Sequence, residues 1–204
     1  MPETTVWLVC HAADAALRAG TFPRAPGADH DEDEALDARA IDAIDAWRVH
    51  WQARLTGVDA EAPFALASPA AIARASARAA GFAPEHTDAL ADAHYGAWAG
   101  RRLTDIAREA PEALAAWTRD PAFKPPGGGE SFDDVRRRVA SWLGSLSCAE
   151  KTIVAFTHAP VIRAAILHAL NAPSASFRQV EIAPLSVTAL RRSQQGWGWV
   201  AARP

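Results

Sequence analysis

Short apolar runs broken by polar turns, followed by longer stretches in which apolar residues return every three to four positions, set the elements of this chain. Thr5 to Cys10 reads Thr-Val-Trp-Leu-Val-Cys, apolar and β-branched between polar flanks, and predicts a strand buried on both faces. Thr152 to Phe156 repeats the pattern, then runs through Thr157-His158-Ala159-Pro160 into the almost wholly apolar Val161 to Leu170, predicting strand, turn and buried helix. Pro160 suits a first helical turn, where a missing N–H costs no bond, and Asn171 ahead of Ala172-Pro173 can end the helix. Pro63 to Ala67 is a third short strand, followed by Ser68-Pro69 and an alanine-rich helix to about Ala80. Repeated strand-to-helix order predicts a parallel sheet.

Other helices follow from their period. Ile41, Ile44, Trp47, Trp51 and Leu55 form one apolar face, and Phe132, Val135, Val139, Trp142, Leu143 and Leu146 another. The second helix opens with Ser131 and Asp134, a capping-box pattern directly after the turn-rich Pro125-Pro126-Gly127-Gly128-Gly129. Gln179 to Ile182, Ser186 to Arg191 and Trp197 to Val200 read as strands, the last two joined by Ser193-Gln194-Gln195-Gly196 as a hairpin at the sheet edge. The eight tryptophans keep no fixed period, so they are assigned mainly to the core.

Composition narrows the function classes. With 204 residues, 50% hydrophobic and 22% charged, the chain is expected to form a single domain over 1–204 with one substantial core. No run approaches the ~18 apolar residues of a spanning helix, and Met1 to Thr5 lacks the basic flank of a signal segment, so a cytoplasmic location is expected. A net charge of −3 and a pI near 6.2 offer no basic footprint for nucleic acid. The expected partner is a small-molecule ligand or phosphorylated metabolite, not nucleic acid or membrane; self-association into a homodimer stays open. Cys10 ends a strand and Cys148 sits in a polar loop, and reduced thiols are expected.

His11 and His158 each follow a strand of the expected parallel sheet, so both imidazoles should stand at its carboxyl edge, where open α/β sheets bind ligands. Several short motifs then resemble those of the histidine phosphatase superfamily, which includes phosphoglycerate mutases and metabolite phosphatases. Leu8-Val9-Cys10-His11-Ala12 resembles its Leu-Val-Arg-His-Gly, and Ser68-Pro69-Ala70-Ala71-Ile72-Ala73 its Ser-Pro-Leu-x-Arg-Ala. Leu90-Ala91-Asp92 through Gly96-Ala97-Trp98-Ala99-Gly100 is similar to Leu-x-Glu-x-x-x-Gly-x-Trp-Glu-Gly; Gly129-Glu130-Ser131 matches Gly-Glu-Ser. Phe156-Thr157-His158-Ala159 with Val161-Ile162-Arg163 resembles Val-Ser-His-Gly-x-Val-Ile-Arg. The resemblance covers most of the chain. It implies a phosphoglycerate mutase-like fold of class α/β: three layers, α/β/α, with a mostly parallel sheet and helices on both faces.

By that resemblance His11 is the nucleophile that becomes a phosphohistidine, His158 bonds a phosphoryl oxygen, and Asp92, one methylene shorter than the family's glutamate, donates the leaving-group proton. An exposed loop acid is the alternative for Asp92. His94 and Tyr95 are read as wall residues. The departures concern charge: Cys10 and Ile72 stand where the family has phosphate-clamping arginines, and neither can supply a planar, permanently charged fork. Ala12 and Ala159 replace glycines beside the two histidines, and their methyl groups can crowd an anion. Arg74 and Arg78 lie on the same helix as Ile72, but Arg74 is about 200° around the axis from it. Arg18 and Arg24 in the loop after His11 are candidates to swing over the pocket, and Arg163 is given a structural role. The acidic run Asp29 to Glu34, if it bordered the cleft, would repel phosphorylated metabolites.

No cofactor is implied, and no metal either: Cys10, His11, Asp92 and His158 lack close ligand spacing, and adjacent strand residues face opposite sides. Two functions stay open. One is a degenerate family member with weak or no phosphomonoesterase activity whose two-histidine cleft binds a small ligand; the other is an active metabolite phosphomonoesterase with repositioned phosphate contacts.

Overall fold

The computed structural model describes residues 4–24, 35–56, 63–146 and 151–202; the acidic run at 29–34 and Cys148 lie outside them. In chain order the elements are β1 (Thr4–Cys10), α1 (Ala15–Arg18), α2 (Ala38–Thr56), β2 (Phe64–Ala67), α3 (Ala71–Ala79), β3 (Glu85–His86), α4 (Leu103–Glu109), α5 (Pro111–Arg119), α6 (Phe132–Ser145), β4 (Lys151–Thr157), α7 (Ala159–Ala169), β5 (Val187–Ser193) and β6 (Gly196–Val200). Six strands form one sheet in the order β3-β2-β4-β1-β5-β6. The β3-β2, β2-β4 and β4-β1 neighbours are parallel, whereas β5 runs antiparallel to β1 and pairs with β6 as the edge hairpin.

The central strands β1 and β4 are buried on both faces because each carries apolar residues at both alternations, whereas the edge strands β3 and β6 are largely exposed. Val6, Leu8 and Cys10 of β1, with Ile153 and Ala155 of β4, pack in a core with Val135, Val139 and Leu143 of α6 and Ile162 and Ala165 of α7. Val9, Val154 and Phe156 instead join Ile44, Trp47 and Leu55 of α2 and Ala77 of α3 on the other face. This two-residue alternation with helices on both sides is the three-layer α/β/α arrangement. Each fully buried large side chain contributes roughly 1.5–3 kcal/mol. A third, aromatic cluster of Phe22, Tyr95, Trp98 and Ile106 is flanked by Trp117 and Phe123.

Phe156 is fully buried, with its ring centroid 5.6 Å from that of Phe82 and 6.1 Å from that of Trp47. Phe156→Ala should therefore lower stability by about 3–5 kcal/mol. In a urea titration the midpoint would fall with an unchanged slope; an unmoved midpoint would mean this face is not tightly packed.

The capping box at α6 is formed: Ser131 Oγ accepts from Asp134 N–H at 3.2 Å, and Asp134 Oδ2 accepts from Ser131 N–H at 3.0 Å. Three expectations change. Gln179 to Ile182 is not a strand; Ser174–Gln179 is a 3-10 turn, and β5 pairs directly with β1, leaving that segment no place in the sheet. The buried stripe of α2 is Ala40, Ile44, Trp47 and Leu55, while Ile41 is 45% exposed, since it lies about 100° around the helix from Ala40. Trp47, Trp98 and Trp142 are core residues as expected, but Trp199, on the edge strand β6, is half exposed. Helices α4 and α5 carry almost no fully buried residues, so their apolar period is weak in the sequence. Among the described residues no helix is long and apolar enough to cross a membrane.

Candidate functional site

Parallel pairing of β1 with β4 places Cys10 opposite Thr157, so the next residue on each strand, His11 and His158, emerges side by side. The ladder extends one step further, with His11 N–H donating to the Thr157 carbonyl at 2.9 Å. The imidazole centroids stand 4.9 Å apart at 63°. Register, rather than a loop, brings the two rings together.

The rings are held differently. His11 Nδ1 lies 2.7 Å from the Ala12 carbonyl oxygen; a carbonyl only accepts, so Nδ1 carries the proton and Nε2 keeps its lone pair. Burial, and after it the neighbouring His158, push the His11 pKa down to about 4, so the ring is neutral at ordinary pH. His158 is 3% exposed. Its Nε2 lies 2.8 Å from Ser68 Oγ, which also accepts from Ala70 N–H at 3.2 Å. Nδ1 faces Asp92, whose Oδ2 is 3.5 Å away, too far for a hydrogen bond. Nδ1 is otherwise without a partner. Burial first, then the Arg138 guanidinium, lowers the His158 pKa to about 3.

Asp92 follows the 3-10 turn Asp88–Leu90 and accepts from Ala93 N–H at 2.8 Å through Oδ1. Burial raises its pKa to about 6, against the pull of the Ala93 N–H, His11 and Arg138; Glu130 adds to the rise. The buried Tyr95 hydroxyl bonds the same carboxyl, and burial with that charge pushes its pKa well up. The loop is closed by Gly96 at φ +54°, where any Cβ would run into the Pro126 carbonyl oxygen, so glycine is required there. Asp92 and His94 border an open cleft of about 530 Å³, with Pro69, Glu130, Arg138 and Lys124 among its other walls; the rings of His11 and His158 are not part of that lining, and Asp92 is what joins the histidine pair to it. His94 Nδ1 sits 3.2 Å from the Gly128 carbonyl and 3.3 Å from Gly96 N–H.

The positions singled out for charge are distributed as follows. Cys10 is 4% exposed, and burial pushes its thiol up to about 12, so it is a neutral core filler. Ile72 is half-buried in the first turn of α3. Arg18 donates to the Ala13 carbonyl at 2.5 Å and pairs with Asp37, and Arg24 packs over Gly100. Neither contact places a guanidinium between the histidines. Arg163 Nε donates to the Val180 carbonyl at 2.7 Å, behind Cys10. Arg74 turns back along its own helix so that its guanidinium bonds the Pro69 carbonyl, at the wall of the cleft. A long side chain leaning towards the helix start can defeat an argument from the helical wheel. Ala12 is fully buried beneath α2 and α3, and its N–H donates to Ser76 Oγ at 3.1 Å; its methyl belongs to the core and its N–H is already committed. Ala159 opens α7 and packs against the other core.

Sequence reasoning gave no role to Ser68, Glu130 or Arg138. Ser68 and Glu130 sat inside quoted motifs, and Arg138 is one of three consecutive arginines on α6 that spacing alone does not separate.

Residues 6–203 match the family model of the histidine phosphatase superfamily, branch 1. Among solved structures, the α-ribazole phosphatase of Shigella flexneri superposes with a TM-score of 0.76 at 21% identity, covering 96% of this chain and 94% of that one. The mycobacterial glucosyl-3-phosphoglycerate phosphatase, solved in complex with VO3, gives a TM-score of 0.77 at 19% identity, covering 96% of each chain. These two likenesses concern the fold. A bifunctional protein of Mycobacterium tuberculosis is 33% identical over 104 residues, 49% of this chain, and the match spans 28% of that relative's length.

Proposed function

The chain belongs to branch 1 of the histidine phosphatase superfamily, and on that premise we propose that it is a degenerate member whose two-histidine cleft binds a small ligand and hydrolyses phosphomonoesters weakly or not at all. The observation that carries this reading is the chemistry at positions 10 and 72. A thiol with a pKa near 12 and a hydrocarbon stand where the family motifs have guanidinium groups. A phosphoryl group in flight spreads charge over three equatorial oxygens, and a transition-state arginine contributes on the order of 10³-fold or more. Arg18, Arg138 and Arg163 already donate to protein oxygens. The test is turnover of 4-nitrophenyl phosphate and of a panel of sugar and nucleoside phosphates. The expected kcat/KM lies well below the ~10⁴ M⁻¹s⁻¹ of ordinary enzymes; a value inside the ordinary range overturns the reading.

A second reading, an active metabolite phosphomonoesterase, draws on the state of the two groups that make and break bonds. His11 keeps a neutral Nε2 lone pair for in-line attack on phosphorus, and Asp92 is protonated further up the pH scale than an ordinary carboxyl. In that sequence the N–P bond forms as the P–O bond to the alcohol breaks, and the proton of Asp92 goes to the departing oxygen. Water then attacks the phosphohistidine, returning its proton to Asp92 and releasing phosphate.

Whatever turnover exists should show a matching pH window. His11 is depressed, so the nucleophile is neutral above about pH 4; Asp92 is raised, so the donor stays protonated up to about pH 6. For an alkyl monoester, kcat/KM should rise through the first value, peak between the two and fall through the second. A pH–rate profile checks this, and a maximum above pH 8 would remove Asp92 from the donor role.

A further inference from the structure

Five contacts converge on one guanidinium behind the catalytic loop. Arg138 Nη1 donates to the carbonyl oxygens of Ala89 at 2.9 Å and Ala91 at 3.0 Å, with that of Asp88 at 3.4 Å. Its Nη2 and Nε reach the Glu130 carboxylate at 3.0 and 3.3 Å. Glu130 in turn grips the far side of the loop, its N–H donating to the His94 carbonyl at 2.6 Å and its carboxylate lying 3.4 Å from His94 N–H. The backbone is therefore held at 89 and 91 before Asp92 and at 94 after it. Asp92 lies in an irregular stretch with no helix or strand to fix it.

We infer that Arg138, acting with Glu130, is a positioning residue that fixes Asp92 beside His158 at the edge of the cleft. Only a planar fork can serve both the carbonyls and the carboxylate at once; an ammonium of the same charge is a single point of donation. The carboxyl of Asp92 meets Cys10, His11, His158, Tyr95 and Glu130 as its titratable neighbours, and the field of Arg138 reaches both Asp92 and His158. Removing the fork while keeping the charge therefore separates placement from electrostatics.

This inference rests on the assignment of Asp92 as the proton donor, and its test is built to fail separately from that assignment. The Asp92 carboxyl is titrated by carbon-13 NMR in the wild type and in Arg138→Lys, with Arg138→Gln as a second variant and amide shifts as a check on folding. In Arg138→Lys, with the fork lost, the charge kept and the loop released, the Asp92 titration should drop from about 6 towards the ordinary carboxylate value of about 4; Arg138→Gln also removes a cation that holds this carboxyl down, so its titration should lie above that of Arg138→Lys. Amide shifts outside the loop should stay unchanged. In parallel, turnover of an alkyl phosphate, whose leaving group needs a proton, should fall at least tenfold more than that of 2,4-dinitrophenyl phosphate, which leaves without one. An Asp92 titration unmoved in a folded Arg138→Lys chain overturns the inference, as does failure of both variants to fold, which would assign Arg138 to stability. Equal losses on the two phosphates overturn it as well. Where the wild type is inactive on both substrates, as loss of the arginine clamp would make it, the carboxyl titration alone decides what Arg138 does.

Discussion

Cys10→Arg combined with Ile72→Arg should raise turnover of 4-nitrophenyl phosphate by about 10²- to 10³-fold over the wild type. Charge in a dry place decides the outcome. A phosphoryl group between His11 and His158 meets two neutral rings, and neither position 10 nor position 72 presents a cation. A guanidinium bonds two oxygens in parallel and cannot lose its proton, with each charge-assisted bond contributing roughly 1.5–3 kcal/mol. Position 10 already feels the Asp92 carboxylate, which would serve a new arginine as counter-charge. Placing a long side chain at a site only 4% exposed costs stability, so each variant is to be assayed after its thermal transition is recorded. Each single substitution should yield less than the pair, because one fork leaves part of the equatorial charge uncovered. A folded double variant without gain would show that the clamp is not the whole deficit. The next suspect would be the Ala12 N–H, which Ser76 Oγ already holds away from any anion.

His11→Ala should abolish turnover, lowering it on the order of 10³-fold or more in whichever background is active, and should abolish phosphoryl labelling of the chain. His11 is the ring whose Nδ1 is tied to a carbonyl, which leaves Nε2 as the one lone pair presented to phosphorus. His158 cannot take over. Its Nε2 is bonded to Ser68 Oγ, its Nδ1 faces Asp92, and it is almost fully enclosed. The measurement is acid-quenched labelling with a phosphorus-32 monoester beside a steady-state assay, ideally in the arginine-restored chain where the signal is largest. Turnover or label surviving in a folded His11→Ala chain would place the chemistry on another residue and remove the basis for both readings of the site.

Much of this architecture can be read along the chain. Thr5 to Cys10 and Thr152 to Phe156 are apolar at both alternations, which only a strand covered on two faces tolerates, and each is followed by a histidine. The Ser131 and Asp134 capping box and the helix after Pro160 are likewise local, because their hydrogen bonds close within a few residues. Elsewhere the local pattern is weak. The segment Gln179 to Ile182 has the residues of a strand, but β5 takes the place beside β1, and α4 and α5 bury too little to show a period.

What can be read from the sequence is therefore the order of the central strands β1, β2 and β4 with the helices α2, α3, α6 and α7, the expectation that two imidazoles share one sheet edge, and the absence of arginine at positions 10 and 72. The tertiary structure alone decided where the remaining charges go: Arg18 to Asp37, Arg74 back to Pro69, Arg138 to Glu130 and the carbonyls ahead of Asp92. The same holds for the 3.5 Å between His158 and Asp92. The reason is physical. Burial and backbone periodicity are properties of neighbours in the chain, whereas a long charged side chain with several rotatable bonds settles wherever partners distant in sequence complete its hydrogen bonds.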